Sequence, residues 1–341
     1  MKDFRKFIRT LVIGLVLLTN ACVEPIAFDT DPVGGQLIVT GRITNAPGGY
    51  EITLKRTDQS EAFPVPVNGA QVTLRDDQGQ QETFQGQGAG VYRTAGQIQG
   101  QPGETYEIEI TLFDGTVYRS RPETMSTAIG KDSVYYEVAK EELVSESGVL
   151  FEDRVVRAYV DTQLPANAPL LYLKWDVETV YSVTTINRSP LGTQITYCYF
   201  YNYPDAQEIL LFNRRELPEG NTLKRQLVAA REIDFSFLER HYFNVIQSSL
   251  TPGAYDYWNQ VGQLSNRTGS VFDTPPGLVS GNIYNVEDAE EPVLGYFETS
   301  LVDTARFFLN RQDIPFIIGS TCQCTACSDL PGVRFDRPSY F

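Results

Sequence analysis

Tyr106-Glu107-Ile108-Glu109-Ile110-Thr111-Leu112-Phe113-Asp114-Gly115-Thr116-Val117-Tyr118-Arg119-Ser120 is the stretch that decides the fold class. Apolar and polar residues alternate strictly at its start, the pattern of a strand with one buried and one wet face. Asp114-Gly115 separates that run from a second alternating one, which predicts a hairpin closed by a type I′ turn. Outward from it, residues 50–55 and 70–76 repeat the alternation, residues 37–43 and 91–93 read as strands, and Asp77-Gln78-Gly79 reads as a turn. Roughly seven short strands and no helix within 36–122 predict an immunoglobulin- or transthyretin-like β-sandwich.

The chain begins differently. Lys2, Arg5, Lys6 and Arg9 precede a short apolar run over 11–18, and Thr19-Asn20-Ala21-Cys22 follows at once. Such a run is too short to span a bilayer about 30 Å thick and reads as a secretory signal, 1–21. Cys22 after a small residue resembles a bacterial lipobox, in which the thiol is acylated, with palmitate-type chains, and becomes the new N-terminus. Ordinary signal-peptidase cleavage is the other reading. Residues 22–35 form a tether, broken by Pro25, Pro32 and Gly34-Gly35 and solvated by Glu24, Asp29 and Asp31.

Removing 1–21 takes away four basic residues and Asp3, so the net charge moves from −15 to −18. A surface that acidic excludes nucleic acid, which requires clustered Lys and Arg on phosphates. Membrane attachment must then come from the lipid. The 19 Tyr and 19 Phe, with regular Gly and Pro, are the composition of short strands and turns.

Beyond Cys22 stand Cys198, Cys322, Cys324 and Cys327. An even count in an exported chain predicts two disulfides, with three pairings open. The alternative, a metal knuckle at 322–327, lacks partners, because His241 is the sole histidine. Cys322 and Cys324 are too close to bridge each other without strain. A bridge from Cys198 to the cluster closes a loop of more than 100 residues, worth up to about 5 kcal/mol in the chain-entropy model.

After a linker, 131–341 reads as a larger β-rich domain, with strands at 155–160, 170–181, 195–201, 208–212, 242–250 and 293–301. One helix is predicted at about 251–264. Thr251 caps it, Pro252 starts it, and Tyr255, Trp258, Val261 and Leu264 form a stripe for packing on a sheet. No catalytic, cofactor-binding or metal-binding residue is predicted. His241 has no nucleophile elbow near it, and Asp76-Asp77 and Glu287-Asp288-Ala289-Glu290-Glu291 read as solvated turns. Asn187-Arg188-Ser189 and Asn266-Arg267-Thr268 match the glycosylation pattern, which a bacterial lipobox makes irrelevant.

Two resemblances complete the reading. Asn68-Gly69-Ala70-Gln71-Val72-Thr73-Leu74 with Gly103-Glu104-Thr105-Tyr106 resembles the carboxypeptidase regulatory-like sandwiches, which are spacers and binding platforms. Over essentially the whole mature chain, further stretches combine: Cys22-Val23-Glu24-Pro25-Ile26, Leu37-Ile38-Val39-Thr40-Gly41-Arg42-Ile43-Thr44, Pro276-Gly277-Leu278-Val279-Ser280-Gly281-Asn282-Ile283-Tyr284-Asn285, Val293-Leu294-Gly295-Tyr296-Phe297, Cys324-Thr325-Ala326-Cys327 and Arg337-Pro338-Ser339-Tyr340-Phe341. Together they resemble the family called domain of unknown function 4249, outer-membrane lipoproteins of Bacteroidota-type bacteria. Tyr340-Phe341 stands where Phe-Trp is usual, and Cys322 is extra. The family has no assigned activity. Its members are typically encoded beside TonB-dependent receptors. The resemblance therefore implies a lipid-anchored outer-membrane protein, with cell-surface exposure left open. It also implies a non-enzymatic accessory or substrate-capturing partner of such a transporter, ligand unknown. A stand-alone adhesin or structural lipoprotein is the alternative.

Overall fold

Alternation in the sequence becomes alternation in burial. Tyr106, Ile108 and Ile110 are buried, while Glu107, Glu109 and Thr111 stay partly open. The computed structural model describes residues 35–58, 63–144, 148–189, 192–202, 209–217, 220–265, 278–318 and 332–341. The signal 1–21, Cys22, the tether up to Gly34, and Cys322, Cys324 and Cys327 lie outside the described residues. The protein is mainly β.

The first strands are β1 (Leu37–Thr44), β2 (Glu51–Arg56), β3 (Val65–Pro66), β4 (Gln71–Asp76), β5 (Gln81–Gly88), β6 (Val91–Arg93), β7 (Thr105–Thr111), β8 (Val117–Ser120) and β9 (Glu123–Thr124). The first half of β5 pairs with β4 and the second half with β6, with a register shift between Gly86 and Gly88. Such a bulge bends a strand, and here it carries β5 from one layer to the other. The layers enclose one core that includes Val39, Leu54, Val72, Ile108, Tyr118 and Phe297.

The hairpin at Asp114-Gly115 forms, but not with the expected turn. Gly115 N–H donates to Leu112 O at 3.0 Å, and Leu112 N–H donates to Thr116 O at 2.9 Å. Only Gly115 takes a positive φ, +92°. The loop is three residues long and includes Phe113, a type I turn followed by a glycine bulge. Asp114 keeps a negative φ because its side chain accepts from Thr116 N–H at 2.9 Å.

The remaining strands are β10 (Lys131–Val144), β11 (Leu150–Gln163), β12 (Tyr172–Ser189), β13 (Gly192–Asn202), β14 (Leu210–Asn213), β15 (Thr222–Glu232) and β16 (His241–Leu250), then β17 (Ile283–Asn285), β18 (Leu294–Ser300), β19 (Val302–Leu309) and β20 (Val333–Arg334). Strands β10, β11 and β15 form a three-stranded sheet. A six-stranded sheet runs β19-β16-β12-β13-β20, with β14 on β12. Val156, Val160 and Val228 of the smaller sheet share a core with Leu173, Trp175, Val177, Phe243 and Val245 of the larger.

The expected boundary between 122 and 131 does not separate the chain into independent halves. β18 returns to pair in parallel with β1, and β17 pairs antiparallel with β8. Both lie within 131–341, the span that the sequence assigns to the later domain. β18 is buried along six of its seven residues. A strand buried on both faces needs a cover on each, the usual setting of parallel pairing. The sandwich core covers one face. The other meets the helix α1 (Pro252–Ser265), the single α-helix among the described residues. Residues 35–341 thus form one compact unit.

Helix α1 starts as its sequence predicts. Ala254 N–H donates to Thr251 Oγ1 at 3.1 Å, and Tyr255 N–H donates to Thr251 O at 2.9 Å. Its stripe packs on sheet, with the Tyr255 ring 4.6 Å from that of Tyr172.

Candidate functional site

The Gly-Asn-Ile and Leu-Gly-Tyr-Phe stretches turn out to be the joint that builds a cleft. Gly295 has φ +89°, and a Cβ there would sit 2.0 Å from Val39 O. A Cβ on Gly281 would sit 1.7 Å from Gly295 O. Three backbones are stacked at distances only glycine allows. Asn282 then acts as a surrogate strand. Its Nδ2 donates to Phe297 O at 2.8 Å, and its Oδ1 accepts from Phe297 N–H at 2.9 Å.

The same amide reaches Glu123 Oε1 at 3.3 Å, and Tyr296 donates its hydroxyl to that oxygen at 2.6 Å. Thr251, the helix cap, donates to Glu123 Oε2. Burial pushes the Glu123 carboxyl above its ordinary range, and these donors oppose that rise. One buried carboxylate therefore ties β9, β18, the 282 loop and the start of α1 together.

Beside this knot lies a cleft of about 370 Å³. Its floor is the outer face of the first sandwich: Thr40 and Arg42 of β1, Glu51 and Thr53 of β2, Tyr296 and Glu298 of β18. The i, i+2 spacing puts each pair on one face. Lys174 and Asp176 of β12 close one side, and Tyr257 and Trp258 of α1 close another. Lys174 Nζ donates to both Asp176 oxygens, at 2.8 and 2.6 Å, and lies 4.8 Å from the Trp258 ring centroid. Its side chain is only 9% exposed, so the carboxylate and the ring together replace lost water. Trp258 Nε1–H donates to Glu298 Oε2 at 2.7 Å, and Ser300 donates to Glu298 Oε1 at 2.5 Å. The size lies within the range of small-molecule sites, and aromatic walls with a few convergent polar groups are their usual lining.

No sequence-predicted site residue lines this cleft. Cys198 is fully buried on β13, beside Tyr181 and Phe200. His241 is also fully buried, stacked 4.1 Å from Phe237, with Nδ1 3.3 Å from Ser236 O. Burial drives its pKa down to about 3, with the charge of Arg231 adding to the fall. Its ring lies among those of Tyr181, Phe237 and Phe243. Among the described residues no group of three His, Cys, Asp or Glu could hold a metal ion, and no helix is long and apolar enough to cross a membrane. Trp258 does line the cleft, where the sequence alone marks that residue for packing on a sheet.

Fold and cleft define a class: a mainly β protein whose single described helix walls a polar, ligand-sized cleft on the outside of a sandwich. Residues 23–306 match the family model described as a domain of unknown function, DUF4249, and the chain belongs to that family. No curated protein matches it. Among solved structures, a DUF4785 family protein from Legionella pneumophila aligns at 12% identity over 62% of this chain and 51% of its own, with a TM-score of 0.18. The chain spans about half the length of that protein, and a likeness at that level carries no argument.

Proposed function

We propose that this chain is a lipid-anchored outer-membrane protein that captures a small substrate for a TonB-dependent transporter and does no chemistry of its own. The cleft between the sandwich face and α1 carries the substrate-capturing part. It has the volume and lining of a ligand site. The anchoring part rests on the signal 1–21 and on Cys22, whose acylation holds the protein at the membrane and raises its local concentration beside a partner there. The partner is the one that the family resemblance implies, since its members are typically encoded beside such receptors. The disulfide bond of Cys198 supports a bridge to Cys322, Cys324 or Cys327 that staples the chain end to β13.

The alternative reading, an adhesin or structural lipoprotein, draws on the β12–β13 hairpin. Ile186 and Ile195 face each other across it, and both are more than half exposed, as is Tyr197. Uptake decides between the two. Deleting the gene should lower uptake through the adjacent receptor, and wild type but not Cys22→Ala should restore it. Unchanged uptake in the deletion strain refutes the transporter reading and leaves the adhesin.

A further inference from the structure

The charged groups of the cleft are not equally occupied. Lys174 and Asp176 neutralise each other, and Glu298 is bonded to Trp258 and Ser300. Arg42 and Glu51 are the two with bonding capacity left over, and Arg42 also stands opposite Glu298 in the β1–β18 ladder, where that carboxylate favours the guanidinium. Arg42 Nη1 donates to Ser248 Oγ at 3.2 Å, and the rest of the guanidinium fork has no partner among the described residues. Glu51 is exposed, and its ion pair is a loose one with Arg93 at 3.6 Å on the rim.

The two sit side by side. β1 and β2 pair antiparallel with Thr40 opposite Thr53 and Gly41 opposite Ile52, and Arg42 and Glu51 occupy the next step of that register. Directly opposite residues have Cβ atoms about 5 Å apart. A guanidinium and a carboxylate thus stand adjacent on the cleft floor without bridging each other. The hydroxyls of Thr40, Thr53 and Tyr257 also have no partner among the described residues, and the Tyr257 ring forms a wall.

An α-amino acid carries its own opposite charges on neighbouring atoms. We propose that the cleft binds a small zwitterion, a free amino acid or dipeptide, with its carboxylate on the Arg42 fork and its ammonium on Glu51. A guanidinium holds a carboxylate through two parallel bonds, which a lone ammonium such as Lys cannot do. A purely anionic ligand would leave Glu51 opposed, and a purely cationic one would leave Arg42 opposed. The side chain of the ligand would rest against Tyr257. This inference rests on the substrate-capturing reading and names its substrate class.

The test is calorimetric titration of the full-length mature lipoprotein in mild detergent with each of the twenty amino acids and with leucyl-leucine. Trp258 emission gives a second readout, since Trp175 is buried in the core. At least one probe should bind below 1 mM. The methyl ester of that probe, which lacks the carboxylate, and its N-acetyl form, which lacks the ammonium, should each bind about ten- to hundredfold more weakly. Arg42→Leu should give a similar loss, with Arg42→Lys in between. Absence of binding by every probe overturns the inference, as does equal binding of parent, ester and N-acetyl forms. The ligand-side comparison needs no variant to fold. Its failure is distinct from failure of the transporter reading, which is judged by co-purification with the receptor and needs no amino-acid ligand.

Discussion

Asn282→Ala is the sharpest perturbation of the joint that builds the cleft. The side chain makes two bonds to the backbone of Phe297, at 2.8 and 2.9 Å, and a third to Glu123 at 3.3 Å. Asn282 and Phe297 are both buried, so water cannot replace these partners. A buried donor or acceptor left unsatisfied costs about 1–3 kcal/mol, and Phe297 would lose one of each. The expected loss is therefore about 2–6 kcal/mol, against a typical total stability of about 5–15 kcal/mol. Urea unfolding should show a lower midpoint with an unchanged slope, because the surface exposed on unfolding is unchanged. Asn282→Asp keeps the acceptor but sets a carboxylate against Phe297 O and Glu123, so it should be at least as damaging. A loss below about 0.5 kcal/mol in Asn282→Ala, the range of ordinary surface changes, would refute the claim that this amide serves as a strand surrogate.

Gly295→Ala should be worse, on the order of 4 kcal/mol or more, because its Cβ would meet Val39 O at 2.0 Å at φ +89°; folded yield near wild type would contradict this. His241 supplies a pH dependence. Its folded pKa is about 3 against about 6.5 unfolded, so as pH falls below 6.5 the unfolded chain takes up a proton that the folded chain refuses. Relative to His241→Gln, wild type should lose up to about 1.4 kcal/mol of stability per pH unit between about 6.5 and 3, and parallel stability profiles from pH 7 to 4 would show the ring is not sealed. Non-reducing peptide mapping should find Cys198 joined to Cys322, Cys324 or Cys327; a free thiol at Cys198 would end that assignment. Mass spectrometry of the mature N-terminus should find acylated Cys22, and Cys22→Ala should leave the membrane fraction.

The hairpin at 106–120 was legible because its period is local, and so was α1, where Thr251 and Pro252 mark the start. The turn between β7 and β8 was misread because the Asp114 side chain caps Thr116 N–H, a preference that the dipeptide alone does not reveal. Strands β10, β15 and β19 were missed because charged residues interrupt them. Their second faces lie against water or Phe316 and Tyr340, as where Lys140 of β10 lies 5.9 Å over Phe316 and Arg306 of β19 lies over Tyr340. The return of β17 and β18 to the first sandwich is a choice of partner across the whole chain, which no window shows. The cleft was invisible for the same reason: its residues come from β1, β2, β12, β18 and α1. The glycines at 281 and 295 were noticed as family marks. Their physical meaning, backbones stacked too closely for any Cβ, needed the three-dimensional neighbours.

The most direct test of the central claim is a pull-down of the native lipoprotein from outer membrane solubilised in mild detergent, with mass spectrometry of its companions. The account predicts a TonB-dependent receptor in near-stoichiometric amount, lost when Cys22→Ala replaces the wild type. Elution of the lipoprotein alone, from membranes in which the receptor is abundant, would contradict it.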